Sequence, residues 1–183
     1  MDIKGDISFK YISWDEEKIA RLVYSSKNPY PTAIFGRTVD LFIVACTIGI
    51  LEDKRIPNAE PKEYNSIGRN TYMVNDDVSR IFYFMYENAI LTTKTVDYDL
   101  DTRMKLAFDS NFILEKFSPN NFLTEFSNYG IDKVFEHVTN HDIETITDIM
   151  DYLRNLVDPE YEKLKNEIFK TLEEIGLEDV LEK

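Results

Sequence analysis

The chain of 183 residues has little of what several large protein classes require. Its single cysteine, Cys46, cannot form an internal disulfide. Its longest uncharged apolar stretch, residues 41–51, covers 11 residues, whereas a membrane-spanning helix needs ~20. The first residues also lack the charged and apolar pattern of a secretory signal. We therefore expect a cytoplasmic protein in a reducing compartment that does not enter a membrane.

Glycine and histidine are scarce, which excludes the familiar cofactor motifs. The 6 glycines are scattered singly, so neither a phosphate-binding loop nor a G-x-S-x-G nucleophile turn occurs. The 2 histidines, His137 and His141, have the i, i+4 spacing of some metal pairs, but Asn140 between them favours a helix boundary. The spaced aspartates near position 99 lack the glycine and closing glutamate of a calcium loop. We expect no metal, no cofactor and no catalytic residue.

Basic residues are few: the chain has 21 Lys and Arg against 34 Asp and Glu, which gives a net charge of −13. Residues 141–183 contribute −8 of this, from 13 acidic and 5 basic residues. Nucleic-acid affinity depends on phosphate neutralisation by Lys and Arg, so we expect no direct nonspecific nucleic-acid binding. An acidic surface of this kind can simply keep a protein soluble, or engage a protein partner with a basic surface, or imitate nucleic acid.

Apolar and aromatic residues, in contrast, are plentiful enough for a large core. The chain has 12 Phe and 11 Tyr and is 43% hydrophobic. The run RTVDLFIVACTIGIL, residues 37–51, is apolar on almost every side of a helix, so other elements must wrap it. At this length one domain is expected. The sequence predicts a single compact all-α domain, 1–183, with about six to eight helices around a buried central helix at about 37–51.

The apolar periodicity and the capping residues predict the helices around this centre. They place helices at about 14–26, 76–92 and 100–117, with Ile81 among the inward-facing residues of the second. Gly130 is typical of a residue just past a helix end, so a short helix should stop there and another should follow to about 138. Residues 141–183 are predicted to form an acidic C-terminal pair of helices.

Residues 52–75 have no helical period and contain two prolines and a glycine, which predicts a long loop. Long loops in compact domains are frequently functional, so this loop is our first choice for a specific contact. Charged residues stand at both ends of the central helix, where they either stabilise the helix dipole or bind a partner: Arg37, Asp40, Lys54 and Arg55. In the binding interpretation, Arg55 and Arg69 meet an anionic partner.

Two segments together resemble a known family. The first is the apolar helix that starts with Asp-Leu-Phe and ends in a glycine, followed by a basic, proline-containing step; the second is a late Phe-to-Gly segment. The matching positions are Asp40, Leu41, Phe42, Ala45, Gly49, Arg55 and Phe126 to Gly130. The pattern is similar to that of the DNA phosphorothioation (Dnd) system-associated protein 4 family and covers roughly residues 15–150. Ala45-Cys46 departs from that family's Ala-Ala pair.

The resemblance implies an accessory part in a bacterial DNA-modification or phage-defence system, and it carries over no catalytic residue. Our leading hypothesis is therefore a non-enzymatic adaptor that binds proteins, with a basic partner surface contacting Glu173, Glu174, Glu178 and Asp179. An acidic nucleic-acid mimic that inhibits a DNA-binding protein is the alternative. A further alternative is an enzyme with an unrecognised active site, which a deep pocket lined by Arg37, Asp40, Arg55 and Arg69 would favour.

Overall fold

The computed structural model describes residues 7–9, 16–24, 33–58, 65–67 and 76–161, together with 163, 166, 167 and 170. Over these residues the fold is helical, which confirms the predicted all-α class. The elements in chain order are β1 (Ile7–Phe9), α1 (Glu16–Leu22), α2 (Thr38–Leu51), β2 (Asn65–Ile67), α3 (Asp76–Thr92), α4 (Leu100–Phe108), α5 (Pro119–Thr139) and α6 (Ile146–Val157).

The chain divides into two compact units, Met1–Glu144 and Thr145–Lys183. The first unit holds every element from β1 to α5, and the second holds α6. A single domain over the whole chain stays a prediction. None of the helices in the described ranges has the length and apolar character needed to cross a bilayer.

A small antiparallel ladder joins β1 to β2, with Ile7 opposite Ile67. The strand β2 lies within the segment predicted as one long loop, at 52–75. Of that segment, residues 52–58 and 65–67 are described, while Arg69 lies outside the described residues.

Helix α2 is the centre of the first unit, and its bounds confirm the predicted central helix. The fully buried residues fall on one half of the helix and are Val39, Leu41, Phe42, Ala45, Cys46, Ile48 and Gly49. The other half, although also largely apolar, is only partly buried, and Leu51 at its end is exposed. Helix α5 packs along α2, and α3 contacts α2 as well. Between α2 and α3, the rings of Phe42 and Phe82 stack with centroids 5.3 Å apart.

The prediction that Gly130 ends a helix is wrong, because α5 continues through it to Thr139. The glycine serves a tertiary contact instead. A methyl group at Gly130 would lie 2.7 Å from the Cα of Ala45, and one at Gly49 would lie 2.8 Å from the carbonyl carbon of Phe126. The backbones of α2 and α5 therefore touch at two places, one glycine being supplied by each helix.

We expect Gly130→Ala and Gly49→Ala each to lower the free energy of unfolding by about 3 kcal/mol or more, because the clash is with backbone that cannot rotate away. Gly36→Ala is the matched control, since nothing lies within 4 Å of its added methyl group. Urea titration followed by circular dichroism measures all three. Equal stability of Gly130→Ala and Gly36→Ala would contradict the contact.

Cys46 lies in the same helix contact and is fully buried. Its Sγ is 3.4 Å from the carbonyl oxygen of Leu123. Burial raises the pKa of the Cys46 thiol well above its ordinary value, which keeps it protonated and unreactive.

We expect the Cys46 thiol of the native protein to resist an aromatic disulfide reagent at pH 8 and to react fully once the chain is unfolded in guanidinium. Absorbance of the released thiolate measures both states. Rapid labelling without denaturant would contradict the burial of Cys46.

Three other predicted helix boundaries are wrong. The helix expected over 14–26 ends at Leu22, because Val23 pairs with Phe35 in a β-bridge. The helix expected over 100–117 ends at Phe108, because the Asp109 side chain accepts a hydrogen bond from the backbone N–H of Asn111 and stabilises a turn there. In the second unit, the predicted start near residue 141 is displaced to Ile146. Thr145 caps α6, and it exchanges side-chain and backbone hydrogen bonds with Asp148.

Candidate functional site

The chain leaves α2 into a polar cleft of about 780 Å³. The lining comes from the exit of α2, the α3–α4 loop and one face of α5, and consists of Asp53, Lys54, Arg55, Pro57, Thr95, Glu125 and Tyr129. Two of the predicted binding residues, Lys54 and Arg55, therefore lie together in a cleft. The cleft belongs to the first unit.

Lys54 is engaged by a carboxylate and a tyrosine on either side of it. Its Nζ donates to Glu52 Oε2 and to Tyr129 Oη, each at 3.3 Å. The hydroxyl of Tyr129 in turn donates to Glu52 at 2.6 Å. Both hydrogen bonds raise the pKa of Lys54, and the one with Tyr129 contributes more than the one with Glu52. The ammonium group is thus charged and already held within the cleft.

Arg55 fastens two other segments to the exit of α2. Its guanidinium donates to Glu125 at 3.2 Å and to the carbonyl oxygen of Thr95 at 2.7 Å. Burial raises the pKa of Glu125, and the charge of Arg55 opposes that rise. An anionic partner at Arg55 would have to compete with Glu125, so the geometry favours a bracing role for this cation.

The segment after α2 is also pinned to α5 through its backbone. The N–H of Ile56 donates to the carbonyl oxygen of Glu125 at 2.9 Å, and Asn128 Nδ2 donates to the carbonyl oxygen of Ile56 at 3.0 Å. Asn128 is fully buried and also donates to the side chain of Asn58. This part of the predicted loop is consequently fixed to the helix beneath it.

Asp53 occupies a left-handed conformation, with a φ of 52°, directly after α2. Its carboxylate accepts hydrogen bonds from the backbone N–H of Lys94 at 2.8 Å and of Thr95 at 3.1 Å, and from the Thr95 hydroxyl at 3.0 Å. Slight burial acts to raise the pKa of Asp53, but these bonds outweigh it and lower the pKa. The carboxylate links the exit of α2 to the α3–α4 loop.

We expect Asp53→Ala to lower the free energy of unfolding at pH 7 by about 1–3 kcal/mol, because it removes the hydrogen bonds that a charged carboxylate accepts from Lys94 and Thr95. Asp53→Asn should cost less, since asparagine tolerates the left-handed conformation and keeps an acceptor. Because the folded pKa of Asp53 is lowered, its stabilisation is complete above the unfolded pKa of about 3.9 and disappears as pH falls through the folded value.

Urea titrations at pH 7 and pH 3 measure this, and the deficit of Asp53→Ala should shrink at the lower pH. Asp97→Ala serves as the control because Asp97 is exposed and makes no hydrogen bond with the described part of the chain. A deficit that is the same at both pH values would contradict the role assigned to the Asp53 carboxylate.

Arg37 and Asp40, the other predicted pair, lie at the opposite end of α2. They pair with each other through bonds of 2.9 and 2.6 Å. The 14 residues of α2 span about 20 Å, so this pair is remote from the cleft that holds Arg55. Four more predicted partner-binding residues lie outside the described residues, namely Glu173, Glu174, Glu178 and Asp179.

An apolar groove of about 660 Å³ runs beside the cleft, and Asp53 lines both. It lies between the last turns of α2 and the face of α3. Its apolar residues are Ile50, Leu51, Ile81, Phe84 and Met85. The prediction that Ile81 faces inward is wrong, because Ile81 is 40% exposed, and Phe84, which the sequence analysis missed, is 67% exposed.

Three polar side chains along this groove make hydrogen bonds to their own helices. The hydroxyl of Thr47 donates to the carbonyl oxygen of Ile43, and the hydroxyl of Thr92 donates to that of Asn88. The Asn88 amide donates to the carbonyl oxygen of Phe84 at 3.0 Å. Covering the groove would therefore leave the side chains of Thr47, Asn88 and Thr92 paired.

The described residues contain no group of three or more His, Cys, Asp and Glu side chains that could hold a metal ion. His137 and His141 contact different carboxylates, Asp142 at 3.1 Å and Glu144 at 3.4 Å. Asn140 caps α5 between them, as the sequence predicts.

Comparison with known proteins adds no relative. No protein-family model, no curated protein and no solved structure matches the chain. Of the positions that carry the resemblance to the Dnd-associated family, Ala45, Gly49, Phe126 and Gly130 lie at the contact of α2 with α5.

Proposed function

We propose that this protein is a non-enzymatic accessory protein that works by binding other proteins. The observation that carries the proposal is the apolar groove between α2 and α3, where Phe84 and Leu51 are exposed. Exposed apolar patches on folded proteins are typical of interaction sites. The adjacent polar cleft supports the same reading, because its cations are already paired with Glu52 and Glu125.

The setting that we propose is a cytoplasmic one, in a bacterial DNA-modification or phage-defence system. This part rests on the resemblance of the segments 40–55 and 126–130 to the Dnd-associated family. The acidic C-terminal residues, among them Glu173 and Glu174, would contact a basic surface of the same or a second partner, because opposite charges accelerate and orient such encounters.

We expect a groove variant, Leu51→Ser with Phe84→Ser, to lose partner proteins that the wild-type protein captures from the native host. Loss of buried aromatic contact at an interface typically costs about 2 kcal/mol or more, which corresponds to at least tenfold weaker capture. Quantitative mass spectrometry of the captured proteins measures the difference. Tyr24→Ser is the matched control, since Tyr24 is 59% exposed elsewhere on the same unit.

Two further capture experiments distinguish binding through the groove from binding through the acidic C-terminal residues. Charge reversal at Glu173, Glu174, Glu178 and Asp179 should weaken capture of a basic partner and reduce its dependence on salt. If DNA fragments displace the captured partner from the wild-type protein, a nucleic-acid mimic is favoured over an adaptor. Capture that is unaffected by both the groove and the charge variants would contradict the proposal.

A further inference from the structure

A second apolar surface lies on α4, away from the groove. Leu100, Met104 and Phe108 follow one another at intervals of four residues, so they form one stripe along the helix. Their exposed fractions are 71%, 45% and 59%. We call these three residues the α4 stripe.

The opposite face of α4 is firmly attached to the rest of the first unit. Leu106 and Ala107 are buried, and the hydroxyl of the buried Tyr86 on α3 donates to the carbonyl oxygen of Leu106 at 3.1 Å. Just before Met104, the guanidinium of Arg103 donates to the carbonyl oxygens of Tyr98, Thr93 and Val96. The stripe is thus presented on a fixed helix and needs no rearrangement to receive a partner.

The exposed charges beside the stripe are predominantly acidic. Asp97 precedes Leu100, Asp109 follows Phe108, and Asp101 lies one helical turn before Met104 and Lys105; all three aspartates are exposed. The nearby cations, Arg103 and Lys105, keep their positive charges, but the aspartates of residues 97–109 outnumber them by four to two. Lys105 is paired with Asp101.

We propose that the α4 stripe docks a basic amphipathic helix of a partner protein. Its apolar residues would cover Leu100, Met104 and Phe108, and its Lys or Arg residues would meet Asp97 and Asp109. This inference rests on the proposed function as a protein-binding adaptor, and it names the chemistry of one partner. A second copy of the chain fits less well, because two copies that each carry −13 would repel each other.

The probe is a designed amphipathic peptide of leucine and lysine, about four helical turns long, with a leucine and glutamate peptide of the same pattern as its counterpart. Binding to the whole protein is measured by fluorescence anisotropy at low and high ionic strength. We expect the lysine peptide to bind, to weaken as salt increases, and to bind at least about tenfold more tightly than the glutamate peptide.

Met104→Ser with Phe108→Ser should weaken that binding about tenfold or more, and Leu100→Ser alone should weaken it less. Asp97→Asn with Asp109→Asn should weaken it a few-fold and flatten its salt dependence. Val157→Ser is the matched control and should leave binding unchanged, since Val157 is 69% exposed on α6. Thermal unfolding of each variant establishes that it is folded.

The inference is overturned if the folded Met104 and Phe108 variant binds like the wild-type protein, or if Val157→Ser weakens binding equally. It is also overturned if the protein is a dimer that the same double variant dissociates, because the occupant would then be a second copy. The groove variant at Leu51 and Phe84 should bind the lysine peptide as tightly as the wild-type protein does. If only the groove variant loses host partners, the proposed function stands and the inference about α4 fails.

Discussion

The close approach of α2 and α5 is the constraint on which the rest of the first unit depends. The backbones meet because Gly49 and Gly130 have no side chain at the two points of contact. Helices that pack this tightly hold their flanking residues at fixed separations. Glu125 and Tyr129, which immediately precede Phe126 and Gly130, are thereby brought to the residues that leave α2. The polar cleft is a direct result of this helix contact.

The charges in that cleft serve mainly to close the fold. In a protein with a net charge of −13, cations beside a cleft invite the interpretation of an anion site. Lys54 and Arg55 instead connect three segments of their own chain, through Glu52, Glu125 and the backbone of Thr95. Since these cations are already paired, the exposed apolar surface at Leu51 and Phe84 is the feature on which the proposal of protein binding rests.

Sequence patterns predicted where the helices lie, but they did not predict which residues of each helix contact another helix. The apolar run at 37–51 predicts a central helix, and the half of that helix that packs against its neighbours is fully buried. The prediction that other elements wrap nearly every side of it holds only in part, because residues 43, 44, 47 and 50 are partly buried and Leu51 is exposed. Gly130 was misassigned because local rules describe helix ends, whereas its role is set by Ala45 on a distant helix. Ile81 and Phe84 show the same limit: periodicity identifies a helix, but it does not tell which apolar residues lack a neighbour.

The candidate site depended even more on tertiary contacts. Lys54 and Arg55 were identified from their place after α2, but their partners on α5 carry no signal in the sequence. Asp53 had none either, because its left-handed conformation and its bonds to Lys94 and Thr95 arise only once two loops meet. A lone aspartate after a helix is too common to indicate such a link.

The helix contact also bears on how this chain is made. Cys46 and Leu123 touch although 77 positions separate them in the sequence. During synthesis, the most apolar helix therefore leaves the ribosome long before the helix that covers it has been translated, and slow formation of such distant contacts exposes nascent chains to aggregation. The wide separation of the two matched glycines in the sequence therefore lengthens the time for which this apolar helix has no covering partner on the nascent chain.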